Sequence, residues 1–303
     1  MAGIITTGAH PKAMWEGIHK WYGMEYAKHP LECAQVFDIR ASQKKYEEVA
    51  ESKGFGLAVV KGEGSSVSYD SMAQGDVTRF THVLYGLGYV VSLEELQDNL
   101  YFEVSKTRAA RLAFSMRITK ETVAANVLNR GFNSSYTGGD GVELFSTSHV
   151  TDDGNQSNHL TVAADLSEAS LEDMCIQINL ATDTRGLKIA LRGRKMIVPP
   201  NLQFEAQRIL YSSLQSGTAN NDTNAVRDLG VVPEGFMVNH YLTDTDAWFI
   251  KTDCPDGLIG FQRMPMAFTQ DNDFDTSNAK AKAIERYVFG WGDWRGCWGS
   301  PGA

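Results

Sequence analysis

SLEELQDNLYFEVSKTRAARLAFSMRITKETVAANVLNR, residues 92–130, runs for 39 residues without a glycine or a proline. A stretch that long with no breaker reads as a helix. Ser92 with Glu95 three positions later forms a capping box at its start, and Gly131 supplies the stop. Leu93, Leu96, Leu100 and Val104, then Ala110 and Phe114, then Val123 and Val127, recur at helical spacing. A continuous helix of this length would span about 60 Å at 1.5 Å per residue. The weaker helix formers between Met116 and Thr122 leave room for a kink. The repeat is not regular enough for a coiled coil. In a chain of 303 residues, such a helix is a structural spine.

Working outward toward the N-terminus, Gly54 to Ser92 changes character. Leu57, Val59 and Val60 suggest a strand, Gly62-Glu63-Gly64-Ser65-Ser66 a flexible polar tip, and Val77, Phe80, His82, Leu84 and Tyr85 the return. This hairpin cannot bury both faces alone, so it packs on its own body or reaches a neighbour. Before it, Met14, Trp15, Ile18, Trp21 and Tyr22 lie at helical spacing between Lys12 and His29, with Pro30 as terminator. That segment reads equally as an ordinary core helix or as an arm lying across another surface.

Beyond the spine, a glycine- and serine-rich connection (Gly131 to Gly141) leads to a second region. Ser170 and Asp173 cap a helix running to about Thr182. Ile189 to Leu191 and Met196 to Val198 read as strands before Pro199-Pro200, and Phe204 to Ser213 as a helix. From Val231 onward strands are expected at Phe236–Tyr241, Ala247–Lys251, Gly260–Arg263 and Ala283–Trp291. The class is α+β.

Composition narrows the function. The formal net charge is −9, from 28 Lys plus Arg against 37 Asp plus Glu, and neither half of the chain has a basic excess. Tight sequence-independent DNA binding normally needs one. No apolar run approaches the roughly 20 residues needed to cross a bilayer. The N-terminus lacks an apolar signal core, so an intracellular protein without membrane association is expected. Cys33, Cys175, Cys254 and Cys297 are too scattered for a disulfide framework or a zinc knuckle, and read as free, mostly buried thiols.

No motif carries credible catalysis. His149, Asp152, Asp153 and His159 fall within eleven residues. The histidines are ten apart in a Gly/Asn/Ser-rich loop rather than one helical turn apart, so a polar surface loop is favoured over a metal site. Asp271, Asp273 and Asp275 resemble a calcium loop only faintly, with Thr276 where glycine is needed and Lys282 where glutamate is needed. Nucleophile elbows and phosphate loops are absent. No catalytic residue, metal or cofactor is expected.

Several runs resemble one family. Leu144-Phe145-Ser146-Thr147-Ser148-His149 followed by Asn158-His159-Leu160 is similar to a signature of Mu-type prophage head subunits. Met196-Ile197-Val198-Pro199-Pro200-Asn201-Leu202, with Ala206 and Arg208-Ile209-Leu210, resembles the strand–Pro-Pro–helix of phage capsid proteins. Asn220 to Asn224 is similar to the segment that follows there. The most specific match is the close, from Tyr287 through Gly290-Trp291-Gly292-Asp293-Trp294-Arg295-Gly296 to Ser300.

That resemblance implies the HK-ninety-seven-type capsid fold of tailed bacteriophages. It implies an N-terminal arm (1–53), an extended loop hairpin (54–91) and a spine helix with its connection in a peripheral domain (92–144). An axial domain (145–232) and return strands of the peripheral domain (233–303) complete it. It further implies a non-enzymatic major capsid protein that assembles with itself as hexamers and pentamers into an icosahedral virion shell. That shell is put together in the host cytoplasm around double-stranded DNA, which it contacts weakly and without sequence preference. A portal and a cement protein are further partners. Some relatives carry a fused, charged scaffolding segment; none precedes Gly54 here, so a separate scaffold is expected. One subtype crosslinks its subunits through a loop lysine, and Lys61 lies in that region without other support.

Trp15, Trp21, Lys61, Glu63, Ser65 and Ser66 are the candidates for contact between subunits. Pro199, Pro200, Trp291, Trp294 and Arg295 are the candidate structural anchors. Alternation along a strand would put Trp291 and Asp293 on one face and Trp294 on the other. The alternative functions weighed are an encapsulin-like compartment with the same fold, and a metal-dependent hydrolase using His149.

Overall fold

The spine is one unbroken helix from Tyr101 to Asn129 in a computed structural model that describes residues 21–92, 94–95, 101–215, 222–273 and 278–303. The stretch from Met116 to Thr122 is helical throughout, and within it Thr119 donates its hydroxyl to the Ser115 carbonyl at 2.8 Å, satisfying the side chain on the helix's own backbone. At the start, the Glu95 amide donates to Ser92 Oγ at 3.3 Å, one half of the capping box. The helix closes as the Gly131 amide donates to the Leu128 carbonyl.

Its buried stripe is Ala109, Leu112, Ala113, Met116, Ala124 and Leu128. This differs from the stripe expected through Ala110 and Phe114, since Phe114 is 48% exposed and meets His29 edge-on. The reason is close approach. The small side chains of Ala109 and Ala113 seat the helix against Ala279, Ala281 and Ala283 of a strand, where a larger residue would hold it off.

The described residues contain twelve strands, in chain order β1 (Asp38–Ala41), β2 (Tyr46–Lys53), β3 (Ala73–Thr81), β4 (Val83–Val91), β5 (His149–Thr151), β6 (Gly154–Gln156), β7 (Gly193–Val198), β8 (Phe236–Val238), β9 (Trp248–Thr252), β10 (Leu258–Asn272), β11 (Ala279–Trp291) and β12 (Cys297–Ser300). One sheet has the order β1-β10-β11-β4 and lies under the spine helix; a second has the order β12-β9-β7-β8. The second sheet packs on the helices Glu168–Leu180 and Gln203–Tyr211. The pairs β2–β3 and β5–β6 form separate two-stranded ribbons. The architecture is α+β, as the sequence indicated.

Four local expectations are corrected. The outgoing strand of the hairpin is β2, not Leu57–Val60, because alternate residues of Tyr46–Lys53 have something to cover them. Leu57, Val59 and Val60 are 82%, 68% and 98% exposed. The helix placed at Ser170 starts at Glu168 with Ser167 as its cap, and Ser170 supplies the reciprocal bond of the capping box. Ile189–Leu191 is not a strand; Ala190 sits at φ 52°, which breaks extended backbone before β7 begins. Finally, the strands of 233–303 do not all return to the sheet under the spine. β8, β9 and β12 join β7, while β10 and β11 serve the spine. Short runs of four or five apolar residues fit either sheet, so sequence did not separate them.

Candidate assembly surfaces

The segment joining β2 to β3, residues 54–72, carries no strand, and every residue from Leu57 to Met72 is exposed. Lys61, Glu63, Ser65 and Ser66 all lie at its tip, so these four candidates are brought together. The tip turns tightly: Ser65 donates both its amide and its hydroxyl to the Gly62 carbonyl, at 3.2 Å and 2.7 Å. Gly64 takes φ +77°, a conformation that favours glycine. Phe55, Leu57, Val60, Tyr69 and Met72 stand out into solvent along the same loop.

The root of the loop is polar. Asp70 accepts from the Gly56 amide at 2.7 Å and from Arg185 Nη1 at 2.8 Å, and Arg185 Nη1 also donates to the Gly54 carbonyl at 2.9 Å. The Gly56 amide and then the Arg185 guanidinium hold the Asp70 carboxyl below the usual carboxylate range, at about 2. Lys53 reaches Asp152 at 2.6 Å. Sequence reasoning missed Asp70, Asp152 and Arg185 as a set. They are up to 115 residues apart and carry no local pattern.

The remaining candidates lie elsewhere. Trp15 falls outside the described residues. Trp21 belongs to the helical turn of 21–28, half-buried between Lys28 and Lys106, whose ammonium groups lie 5.2 Å and 5.7 Å from its ring. Pro199 is buried and precedes the turn Pro200–Leu202, where Pro200 opens the helical geometry that Gln203 continues.

At the C-terminal end, Trp294 and Arg295 are 8% and 2% exposed, while Trp291 is half-buried. The expected alternation does not apply, because Trp294–Gly296 is a 3-10 turn capped by Asp293. Arg295 joins three parts of the chain. Its Nε donates to the Thr182 carbonyl at 2.9 Å, and its Nη1 meets Glu51 of β2 at 3.1 Å and Asp293 at 3.3 Å. Burial holds the Glu51 carboxyl up, with Arg295 opposing.

His149 is fully buried rather than in a surface loop, which corrects the sequence reading of that cluster. Its ring stacks on Trp294 at 4.2 Å and 3°. Its Nδ1 lies 2.6 Å from Asp140 and its Nε2 3.1 Å from Asn158 Oδ1. Asn158 in turn donates to the carbonyls of Leu144, Trp294 and Cys297. The Leu144–His149 and Asn158–Leu160 runs therefore meet the Trp294 turn in one buried polar knot. Among the described residues no group of His, Cys, Asp or Glu is arranged to hold a metal. Burial pushes the thiols of Cys33 and Cys297 up to about 12, so neither is a thiolate at neutral pH.

A cleft of about 450 Å³ lies where β2, the 183–191 turn and the Asp253–Asp256 turn converge. It is lined by Glu51, Asp183, Asp253, Asp256 and Asp293 around Arg295. Cys254 also lines it, its thiol 3.5 Å from the Asp293 carboxylate; burial, and then Asp293, push that thiol well above the ordinary cysteine range, so it is held as the neutral thiol.

Comparison with known proteins agrees with this architecture. No curated protein sequence matches the chain. Among solved structures, the mature capsid of bacteriophage PhiM1 aligns with a TM-score of 0.58 at 11% identity, covering 90% of this chain and 87% of that one. The capsid of a native GTA particle aligns at 0.55 and 10% identity, covering 89% and 90%. A virus-like particle from Pyrococcus furiosus aligns at 0.51 and 12%, covering 94% and 98%. These likenesses are of fold. The model of the family described as phage capsid protein matches residues 76–299, and on that match the chain belongs to the phage capsid protein family and is a structural major capsid protein.

Proposed function

We propose that copies of this chain assemble into an icosahedral shell of hexamers and pentamers around double-stranded DNA, with the 54–72 loop as a contact between neighbours. The observation that carries the reading is the loop itself. Leu57, Val60 and Tyr69 are 82%, 98% and 93% exposed in a segment with no core contact, and a two-stranded ribbon such as β2–β3 is marginal alone. Apolar groups gathered on one free element are a binding surface in waiting. The division into arm, loop, peripheral and axial parts is carried forward, with β2 counted to the loop. Trp15 and Trp21 are assigned to a second contact through the arm. Pro199, Pro200, Trp291, Trp294 and Arg295 are assigned to holding the subunit's own fold.

A separate scaffold, a portal and a cement protein are the further partners in this account, and assembly takes place in the host cytoplasm. DNA is enclosed rather than gripped, since a net charge of −9 offers no large counterion-release term. No catalysis is assigned to the chain. An encapsulin-like compartment would share the fold, but the family match is to phage capsids.

Deleting Gly62–Ser68 tests the loop's role. The variant should melt like the parent and fail to form closed shells. A variant that unfolds would put the loop in the core, and one that assembles normally would remove it from the interface.

A further inference from the structure

The exposed loop has no apolar anchorage, so its direction is decided at its root. Every residue from Leu57 to Met72 is exposed, and the contacts that fasten the loop's two legs to the body are polar or charged. Two turns of the chain stand beside the legs as posts. One is the Asp183–Leu187 turn, where the Asp183 carboxylate accepts from the amides of Arg185 and Leu187, both at 2.8 Å, and so fixes the backbone that carries Arg185. The other is the tip of the β5–β6 ribbon, Asp152-Asp153.

The posts brace each other. Gly186 has φ +82°, and a Cβ placed there would meet the Asp153 carboxylate at 2.5 Å. The positive φ favours glycine, and any side chain there would have to push the Asp153 carboxylate aside. Arg185 then holds one leg through the Gly54 carbonyl and the other through both oxygens of Asp70, at 2.8 Å and 3.4 Å. Asp152 holds the end of β2 through Lys53.

We propose that Arg185 and Asp152 form a two-pronged electrostatic clasp that aims the 54–72 loop, so that the loop's direction is released by salt without loss of the fold. The proposal rests on the reading of the loop as an inter-subunit contact and adds how its reach is controlled. Salt is the lever because the pairs are partly exposed, with side-chain exposures of 31% for Arg185 and 41% for Asp70, and exposed pairs are screened. Acid is not the lever near neutrality, since Asp70 stays ionised down to about pH 2. The charged groups facing the clasp arms are Asp183 and Asp153 on the posts, Asp70 on the loop, and Glu51 and Asp76 on the ribbon.

The experiment measures the distance between spin labels at Ser66→Cys on the tip and Ser134→Cys on the body. It uses the full-length, unassembled subunit in a Cys254→Ser background. At low salt the distribution should be narrow, and at about 0.5 M salt broad, where the Debye length falls well below 10 Å. Arg185→Ala with Asp152→Ala should give the broad distribution at low salt with an unchanged melting temperature. Arg185→Asp combined with Asp70→Arg should narrow it again, which a merely steric role for Arg185 would not do. A parent distribution already broad at low salt, or one unaltered by the double substitution, overturns the clasp. The Gly62–Ser68 deletion separates the two ideas: normal assembly there with a narrow parent distribution sinks the interface reading and leaves the clasp standing as a restraint on the loop.

Discussion

Lys120 of the spine helix places its ammonium 2.6 Å from Glu285 Oε1 of β11, with the two side chains only 4% and 1% exposed. The second oxygen of Glu285 accepts from the Tyr26 hydroxyl at 3.0 Å, and Gln262 Nε2 reaches the first at 3.0 Å. One carboxylate thus ties the spine helix, the N-terminal helical turn and the middle of the long sheet.

Breaking that pair from one side should be costly. Lys120→Met leaves a buried carboxylate without its cation, which costs about 3–5 kcal/mol in comparable sites. Lys120→Met with Glu285→Gln should recover part of the loss, since the amide keeps hydrogen bonds without the charge. Urea unfolding of the unassembled subunit measures both. A single variant as stable as the parent would show that the pair is not sealed from water.

Trp294 is the second test. Its ring stacks on His149, and the Arg295 guanidinium lies 4.3 Å above it. Trp294→Ala should cost about 3–5 kcal/mol, as for other buried aromatics, and yield insoluble subunit before any assembly defect appears. Well-folded monomer that merely fails to assemble would reassign the C-terminal turn to an interface.

Acid should weaken the subunit through two histidines. Burial holds the rings of His82 and His159 below the ordinary histidine value, with Arg286 and Arg263 adding to the effect at His82. Such a ring binds fewer protons folded than unfolded. Its contribution is therefore complete above about pH 6.5 and is lost as pH falls through and below that value. The melting temperature should drop between pH 7.5 and pH 5, and His159→Gln should flatten part of the drop. An identical pH profile in the variant would contradict the assignment.

What the sequence made legible follows from the range of the signals. The spine helix was readable because its evidence is local: 39 residues without a breaker, a capping serine and a terminal glycine. The side of that helix facing the sheet was not, because it is set by alanine-on-alanine approach to β11, and alanine is silent in a hydrophobic pattern. The polar tip of the loop was legible from its glycines. Its outgoing strand was misplaced because Leu57, Val59 and Val60 are apolar yet covered by nothing in the subunit. His149 was read as surface because its loop is polar; its burial depends on Trp294, 145 residues away in sequence. The Asp70–Arg185 and Arg295–Glu51 pairs, likewise, exist only once the chain has folded.

The most direct test of the account is an electron micrograph of the purified full-length protein expressed with its scaffold at native salt. The account predicts closed, uniform, thin-walled shells whose walls contain this chain. A protein that stays strictly monomeric under those conditions would contradict it.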